Sequence, residues 1–381
     1  MIPYGRQNIN QADIDLVVKT LTSDYLTQGP QVPAFEAAIC AATGANHAVA
    51  VNSATSALHI ACLALGLGAG DLLWTSPITF VASANVGLLC GAKVDFVDVD
   101  PNTFNMCPEA LEAKLKLAAA QGTLPKIIMP VHMCGQSCDM ARIGALAKAH
   151  GIHVIEDASH AVGGTFHDVP VGKCEHSDIA VFSFHPVKIV TTAEGGIATT
   201  NDPTLAQRME LFRSHGVTRD ESLMTKESEG GWYYQQVALG LNYRMTELQA
   251  ALGVSQMTRL KDFVAKRNQL AERYDVALAD LDLDRPGRLT GAYSAFHLYV
   301  IRVDATRRKA IYDSLRAADL GVNVHYIPVH LQPYYQNPGF KQGDFPNAET
   351  YYSRAISIPL YPDMTDADQD YVIQSLTTAL A

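Results

Sequence analysis

Three short segments carry residue types whose spacing suits catalysis. In Phe182–Gly196 (FSFHPVKIVTTAEGG), Lys188 follows an apolar run that reads as a buried strand. An ammonium seldom sits there without a partner. Desolvation lowers the pKa of such a lysine and makes its amine a nucleophile toward an aldehyde. The plainer alternative is a stem lying along apolar surface with its head in water. Ser183 can donate its hydroxyl to a phosphate or satisfy its own backbone. In Ile152–Gly164 (IHVIEDASHAVGG), an apolar strand ends on Glu156 and Asp157. Strand carboxyl ends are where α/β proteins bind ligands, and a carboxylate there can pair with a protonated ring nitrogen. A helix cap or a structural ion pair explains the same letters. His160, on the loop that follows, either faces the phenolic edge of a ring or is a satisfied structural histidine.

The third segment is Ala48–Leu58 (AVAVNSATSAL), a strand that runs through small residues into a helix. Small side chains around Ala54 let the backbone approach a phosphate, toward which the first N–H groups of a helix point. Ser53 and Thr55 add hydroxyls, although an ordinary Ser/Thr cap uses the same residues. Together the segments supply a phosphate cup, a carboxylate for a pyridine nitrogen and a lysine for an aldehyde. Those are the needs of pyridoxal 5'-phosphate.

The elements that must position these residues read as an α/β alternation. Apolar, β-branched runs at Ala48–Val51, Leu72–Trp74, Val94–Val97, Lys126–Val131, His153–Glu156, Ile179–Phe184 and Gly196–Thr199 recur between helical patterns. Helices are predicted at Thr55–Leu65, Pro108–Ala120 and Met140–His150, and the one from Pro108 has Pro and Glu109 in its first turn. This rhythm predicts a mostly parallel sheet covered on both faces. Residues Arg219–Gly231 read as a mobile surface loop. A single helical pattern then runs from Thr246 to about Leu281, followed by strands near Ala295–Val303 and Asn323–Ile327. The expected division is a large cofactor-binding domain over residues 1–250 and a smaller α+β domain over 251–381.

Composition sets the outer limits. The 381 residues carry 29 Lys and Arg against 39 Asp and Glu, a net charge of −10, and 48% are hydrophobic. That is enough apolar material for a large core, and it argues against disorder and against a nucleic-acid footprint. No stretch approaches the ~20 continuous apolar residues of a membrane span, and no basic-then-apolar leader opens the chain. The seven Cys are an odd, scattered set, which predicts reduced thiols in a cytoplasm. Cys134 and Cys138 lie near His132, with His150 and His153 further on, but the spacing matches no zinc pattern, so no metal is expected.

NSATSAL, EDASHAVGG, FSFHPVKIVTTAEGG, RSHG (Arg213–Gly216) and GLNYRMTELQAALG (Gly240–Gly253), in this order, resemble the DegT/StrS family of sugar aminotransferases. The resemblance covers most of the chain and implies the pyridoxal phosphate aminotransferase fold called type I. It implies Lys188 as the Schiff-base lysine, Asp157 as partner of the pyridine nitrogen, and Ser53, Thr55 and Ser183 on the phosphate. Phe80, in SPITFVASAN, would stack on the ring; plain core is its alternative. Asn242 would reach the phosphate in a neighbouring subunit, which implies a homodimer with shared sites. Tyr4, Tyr25, Leu26, Thr27, Arg244, His325 and Tyr326 would line the sugar-nucleotide mouth. Related dehydratases carry His where these enzymes carry Lys, so Lys188 favours transfer. His160 stands where many relatives have Gln. Within the family, LTQGP (Leu26–Pro30), NSATSALHIA and HPVKIVTTAEGG are most similar to the branch of the pseudaminic acid pathway. That branch aminates a UDP-linked 4-keto-6-deoxy-N-acetylhexosamine with glutamate as donor.

Overall fold

A computed structural model describes all residues from Met1 to Ala381. Its centre is a seven-stranded sheet: β1 (His47–Val51), β2 (Leu72–Thr75), β3 (Lys93–Phe96), β4 (Ile127–Met129), β5 (His153–Asp157), β6 (Ile179–Ser183) and β7 (Gly196–Thr200). The spatial order is β1-β7-β6-β5-β4-β2-β3. β3, β2, β4, β5 and β6 pair in parallel, while β7 runs antiparallel to both β6 and β1. All seven expected strands are present, and the sheet is mostly parallel as their pattern predicts.

Helices cover both faces, which is why these strands read as nearly continuous apolar runs. The helices are α1 (Gln11–Leu21), α2 (Gln31–Thr43), α3 (Ala54–Ala64), α4 (Ala82–Leu89), α5 (Pro108–Gln121), α6 (Met140–Ala149) and α7 (Pro203–Arg213). Val49 and Val51 of β1, with Ile155 and Val181, pack against Leu58 and Ile60 of α3 and Met209 of α7. Their strand neighbours Ala48 and Ala50 point the other way, with Phe182 and Ile197, onto Phe35 and Ile39 of α2. Further along that second face, Trp74, Ile128 and Val154 meet Leu111 of α5 and Ile143 of α6. Each fully buried aliphatic side chain is worth about 1.5–3 kcal/mol.

Two expectations about the C-terminal part are corrected. The single helix from Thr246 to Leu281 is two, α8 (Glu247–Met257) and α9 (Leu260–Ala277). At the break the Thr258 hydroxyl donates to the Ser255 carbonyl at 2.6 Å, and the Arg259 guanidinium turns back to Asn8 and Asp13. The predicted strand Asn323–Ile327 makes one backbone bridge, Asn323 to Ser357. The strand β8 (Tyr299–Arg302), inside the expected Ala295–Val303, pairs instead with β9 (Ala355–Ile358). Residues 323–327 therefore meet the free edge of β9 at one residue and form no strand of their own.

α10 (Arg308–Ala317), the single turn α11 (Pro333–Gln336), α12 (Pro346–Arg354) and α13 (Asp366–Leu380) complete the chain. Tyr299, Ile301, Ile356 and Ile358 form a core with Tyr274 of α9, Leu315 of α10 and Leu376 of α13. Ile2 packs on this cluster and bridges to Leu320, so the first residues of the chain lie against the last third. The polar stretch 219–231 is largely exposed and is closed by a two-residue ladder, Val217–Thr218 with Gln235–Gln236. No helix is long and apolar enough to cross a membrane.

Candidate active site

A cavity of 760 Å³ opens where the carboxyl ends of β5 and β6 meet the N-terminus of α3. It brings together Lys188, Asp157, His160, Ser183, Phe80 and the Ser53–Ala54–Thr55 turn, with Tyr4, His325 and Tyr326 at its wall.

Ser53 has extended backbone (φ −164°, ψ 158°) and caps α3, its hydroxyl oxygen accepting the Ser56 N–H at 3.1 Å. The cap reading of these letters therefore holds. The N–H groups of the first turn have no acceptor of the preceding helical turn, which suits this end of α3 to an anion. Gly196, at the start of β7, makes the cup possible. A Cβ there would stand 2.4 Å from the carbonyl carbon and oxygen of Ser53 and 2.5 Å from the Ala54 nitrogen. Only glycine lets the two backbones come so close.

Asp157 ends β5 with 5% exposure, so its carboxylate is nearly all inside. Its Oδ2 accepts the Ser83 hydroxyl at 2.6 Å, and Ser83 in turn pairs with Thr79 at 2.6 Å. Its Oδ1 accepts the Ser159 hydroxyl at 2.6 Å and the Ser159 N–H at 3.2 Å. The carboxylate is thus fixed from two sides. A capping role is excluded by this arrangement, since no helix begins at Asp157. Phe80 is 60% exposed and lines the cavity, so it is not core; its ring is free to cover another ring.

Lys188 lies beyond β6, its N–H bonded to the His185 carbonyl at 2.9 Å. Burial lowers its pKa from 10.5 to about 8, against the opposing pull of Asp157. His160 accepts the Cys134 N–H on Nδ1 at 3.3 Å, so the neutral ring carries its proton on Nε2. That nitrogen is 3.4 Å from the Tyr326 hydroxyl. Burial, with the Lys188 charge behind it, holds His160 well below the usual histidine range and lowers His325 to about 4. His325 pairs with Ser357 at 2.7 Å, and the Tyr4 ring lies 5.2 Å from its own.

Tyr25, Leu26, Thr27, Asn242 and Arg244 do not line this cavity. Asn242 is exposed, and its carbonyl accepts the Asn52 amide at 3.5 Å beside the cup. Arg244 bridges to Val51. The Tyr25–Pro30 turn is held by Glu247, wholly buried at the start of α8. Its carboxylate accepts the Gln31 N–H at 2.6 Å and the Val32 N–H at 3.3 Å, capping α2 from outside. Sequence reasoning missed Glu247, Gly196, Ser83 and Ser159, and also His297, which lines the cavity with its ring 4.4 Å from that of His160. Ser83 stands in the first turn of α4, three residues after Phe80, and that nearness was the available signal for it. His132, Cys134 and Cys138 make no metal cluster: the Cys138 N–H bonds His132 and its thiol bonds the Val131 carbonyl.

The chain matches the DegT/DnrJ/EryC1/StrS aminotransferase family over residues 7–377. It is 42% identical to the spore coat polysaccharide biosynthesis protein SpsC of Bacillus subtilis (strain 168), over 98% of this chain and 96% of that one. Among solved structures, Helicobacter pylori PseC, an aminotransferase involved in the biosynthesis of pseudoaminic acid, is 31% identical with a TM-score of 0.91, covering 100% of this chain and 99% of its own. The PMP form of a putative sugar aminotransferase from Streptococcus pneumoniae is 30% identical with a TM-score of 0.90, at the same coverage. The phosphate cup, the fixed carboxylate and the desolvated lysine fit the cofactor that such enzymes use. This chain belongs to the DegT/DnrJ/EryC1/StrS family of pyridoxal phosphate-dependent sugar aminotransferases.

Proposed function

We propose that this enzyme moves an amino group from glutamate to the 4-keto carbon of a UDP-linked 4-keto-6-deoxy-N-acetylhexosamine. The observation that carries the reading is the meeting of Lys188, Asp157 and the α3 N-terminus in one cavity. The α3 N–H groups with Ser53, Thr55 and Ser183 hold the cofactor phosphate. Asp157 holds the proton on the ring nitrogen, Phe80 covers a ring face, and His160 offers Nε2–H to the phenolic oxygen. Bound there, the cofactor supplies an electron-accepting ring for the charge that develops at the reacting carbon. Lys188, with a pKa lowered to about 8 by burial, is poised to act as a base near neutral pH. It takes the proton from the α-carbon of glutamate and later delivers one to C4 of the sugar.

Lys188 is the one Lys or Arg lining the cavity. A sugar diphosphate therefore draws its cation from elsewhere. Arg244 and Asn242, turned out of their own cavity beside the cup, are placed to serve a second copy, so the working unit is a cytoplasmic homodimer with shared sites. Tyr25, Leu26 and Thr27 belong to the same mouth, with Tyr4, His325 and Tyr326. The division into a cofactor domain (1–250) and a small domain (251–381) is supported by the separate core around Tyr274 and Ile356.

The likeness to the branch of the pseudaminic acid pathway supports the hexosamine. The 42% identity to the spore coat polysaccharide protein supports a second reading, another nucleotide-linked 4-keto sugar such as the precursor of 4-amino-arabinose or of a bacillosamine-type sugar. Amination rates across a panel of UDP- and dTDP-4-keto sugars, with product configuration by NMR, decide between them. The fastest turnover on the UDP-N-acetylhexosamine of pseudaminic configuration supports the first reading; preference for its bacillosamine-type epimer, a pentose or a dTDP sugar overturns it.

A further inference from the structure

Glu156 and Asp157 are consecutive on β5, so their side chains leave opposite faces of the sheet. Asp157 enters the cavity. Glu156 goes the other way and is as deeply buried, at 5% exposure. A carboxylate removed from water needs partners. Its Oε2 lies 2.6 Å from Nε2 of His132, and its Oε1 accepts the Ser177 hydroxyl.

His132 is itself fully buried. Its Nδ1 accepts the Cys138 N–H at 3.1 Å, so Nε2 carries the proton that is donated to Glu156. The backbone N–H of the same histidine donates to the Asp157 carbonyl at 3.0 Å, while the Asp157 N–H donates to the Pro130 carbonyl at 2.9 Å. One residue therefore grips the side chain of Glu156 and the main chain of Asp157.

We propose that the Glu156–His132 pair is a positioning device for Asp157: it fixes the end of β5 and with it the direction of the carboxylate that faces the pyridine nitrogen. The inference rests on the assignment of Asp157 to that nitrogen. Two consequences follow. The strand end cannot rotate without breaking the His132 contacts, so the Asp157 carboxylate keeps its direction. A carboxylate kept in that direction stays aligned for a charge-assisted hydrogen bond with the ring nitrogen, and so holds the ring proton.

The test uses holoenzyme carrying cofactor labelled with ¹⁵N at the ring nitrogen. The ¹⁵N chemical shift, and kcat and KM for the glutamate half-reaction, are measured for wild type, Glu156→Gln, His132→Ala, His132→Gln and Asp157→Asn. The proposal expects Glu156→Gln and His132→Ala to move the shift toward the unprotonated value, in the same direction as Asp157→Asn but less far. It expects kcat to fall on the order of tenfold, about 1.4 kcal/mol of barrier, with KM for glutamate nearly unchanged. His132→Gln, whose amide reaches the Nε2 position, restores most of both. Wild-type shifts in Glu156→Gln and His132→Ala, even with lowered melting temperatures, overturn the proposal. Where Glu156→Gln gives no folded holoenzyme, the His132 pair decides alone. An unmoved shift in Asp157→Asn instead overturns the assignment of Asp157 itself.

Discussion

Lys188 does two jobs that a substitution series separates. Lys188→Ala should abolish amino transfer, and a purified variant that still turned over would remove the lysine from the chemistry. The second effect is on stability. In the folded, cofactor-free chain the lysine loses its proton near pH 8, whereas its ordinary value is 10.5. Between those values the unfolded chain holds more protons, so wild-type stability rises with pH. Lys188→Met removes that penalty, about 1.4 kcal/mol per pK unit. Its melting temperature should exceed wild type at pH 7, and the gap should close as pH nears 10; a gap independent of pH contradicts the desolvated lysine. Asp157→Asn should keep cofactor but lose most of its rate. Lys188 and Asp157 were legible because a charged residue at the end of an apolar run is rare. The donors that fix Asp157 were not, because Ser83 and Ser159 are ordinary letters whose meaning lies in which carboxylate they reach.

At the level of elements, two contacts hold the site together. Gly196 lets β7 pass the phosphate cup. Gly196→Ala should cost about 1–3 kcal/mol by overpacking and weaken cofactor binding at least tenfold, read by calorimetry and by titration of cofactor absorbance. A variant that binds cofactor normally would show that the cup has room to move. Glu247 caps α2 from a different helix, so Glu247→Ala leaves two N–H groups without their acceptor, a loss of about 1–3 kcal/mol. Hydrogen exchange should rise at residues 25–35 and not across β5. The seven strands were readable because burial on both faces writes continuous apolar runs. β9 leaves no strand signal of its own, and residues 323–327 carry one without forming a strand, because pairing between distant short segments leaves no local periodicity. The α8–α9 break was also invisible, since the Arg259 partners Asn8 and Asp13 lie at the far end of the chain.

For the whole molecule, the net charge of −10 argues against a nucleic-acid footprint yet permits anionic ligands. Helix-end N–H groups and hydroxyls are placed to bind them locally, and the proposed second subunit would supply the missing cations. A mixed dimer tests this. In a Lys188→Ala chain paired with an Asn242→Ala chain, one site carries both defects and the other neither. After subunit exchange in equal mixture, the two weak homodimers should therefore recover roughly a quarter of wild-type activity and the isolated heterodimer roughly half, whereas sites built within one subunit would show no recovery.

The reaction proposed for this constellation moves nitrogen from glutamate to a nucleotide-linked keto sugar. The most direct measurement incubates the purified holoenzyme with ¹⁵N-glutamate and the UDP-4-keto-6-deoxy-N-acetylhexosamine, with Lys188→Ala alongside, and follows the sugar by mass spectrometry and NMR. Wild type should place ¹⁵N on C4 and release 2-oxoglutarate in equal amount, and Lys188→Ala should do neither. Unlabelled sugar from wild type across the UDP and dTDP panel, or labelled sugar from Lys188→Ala, would contradict the account.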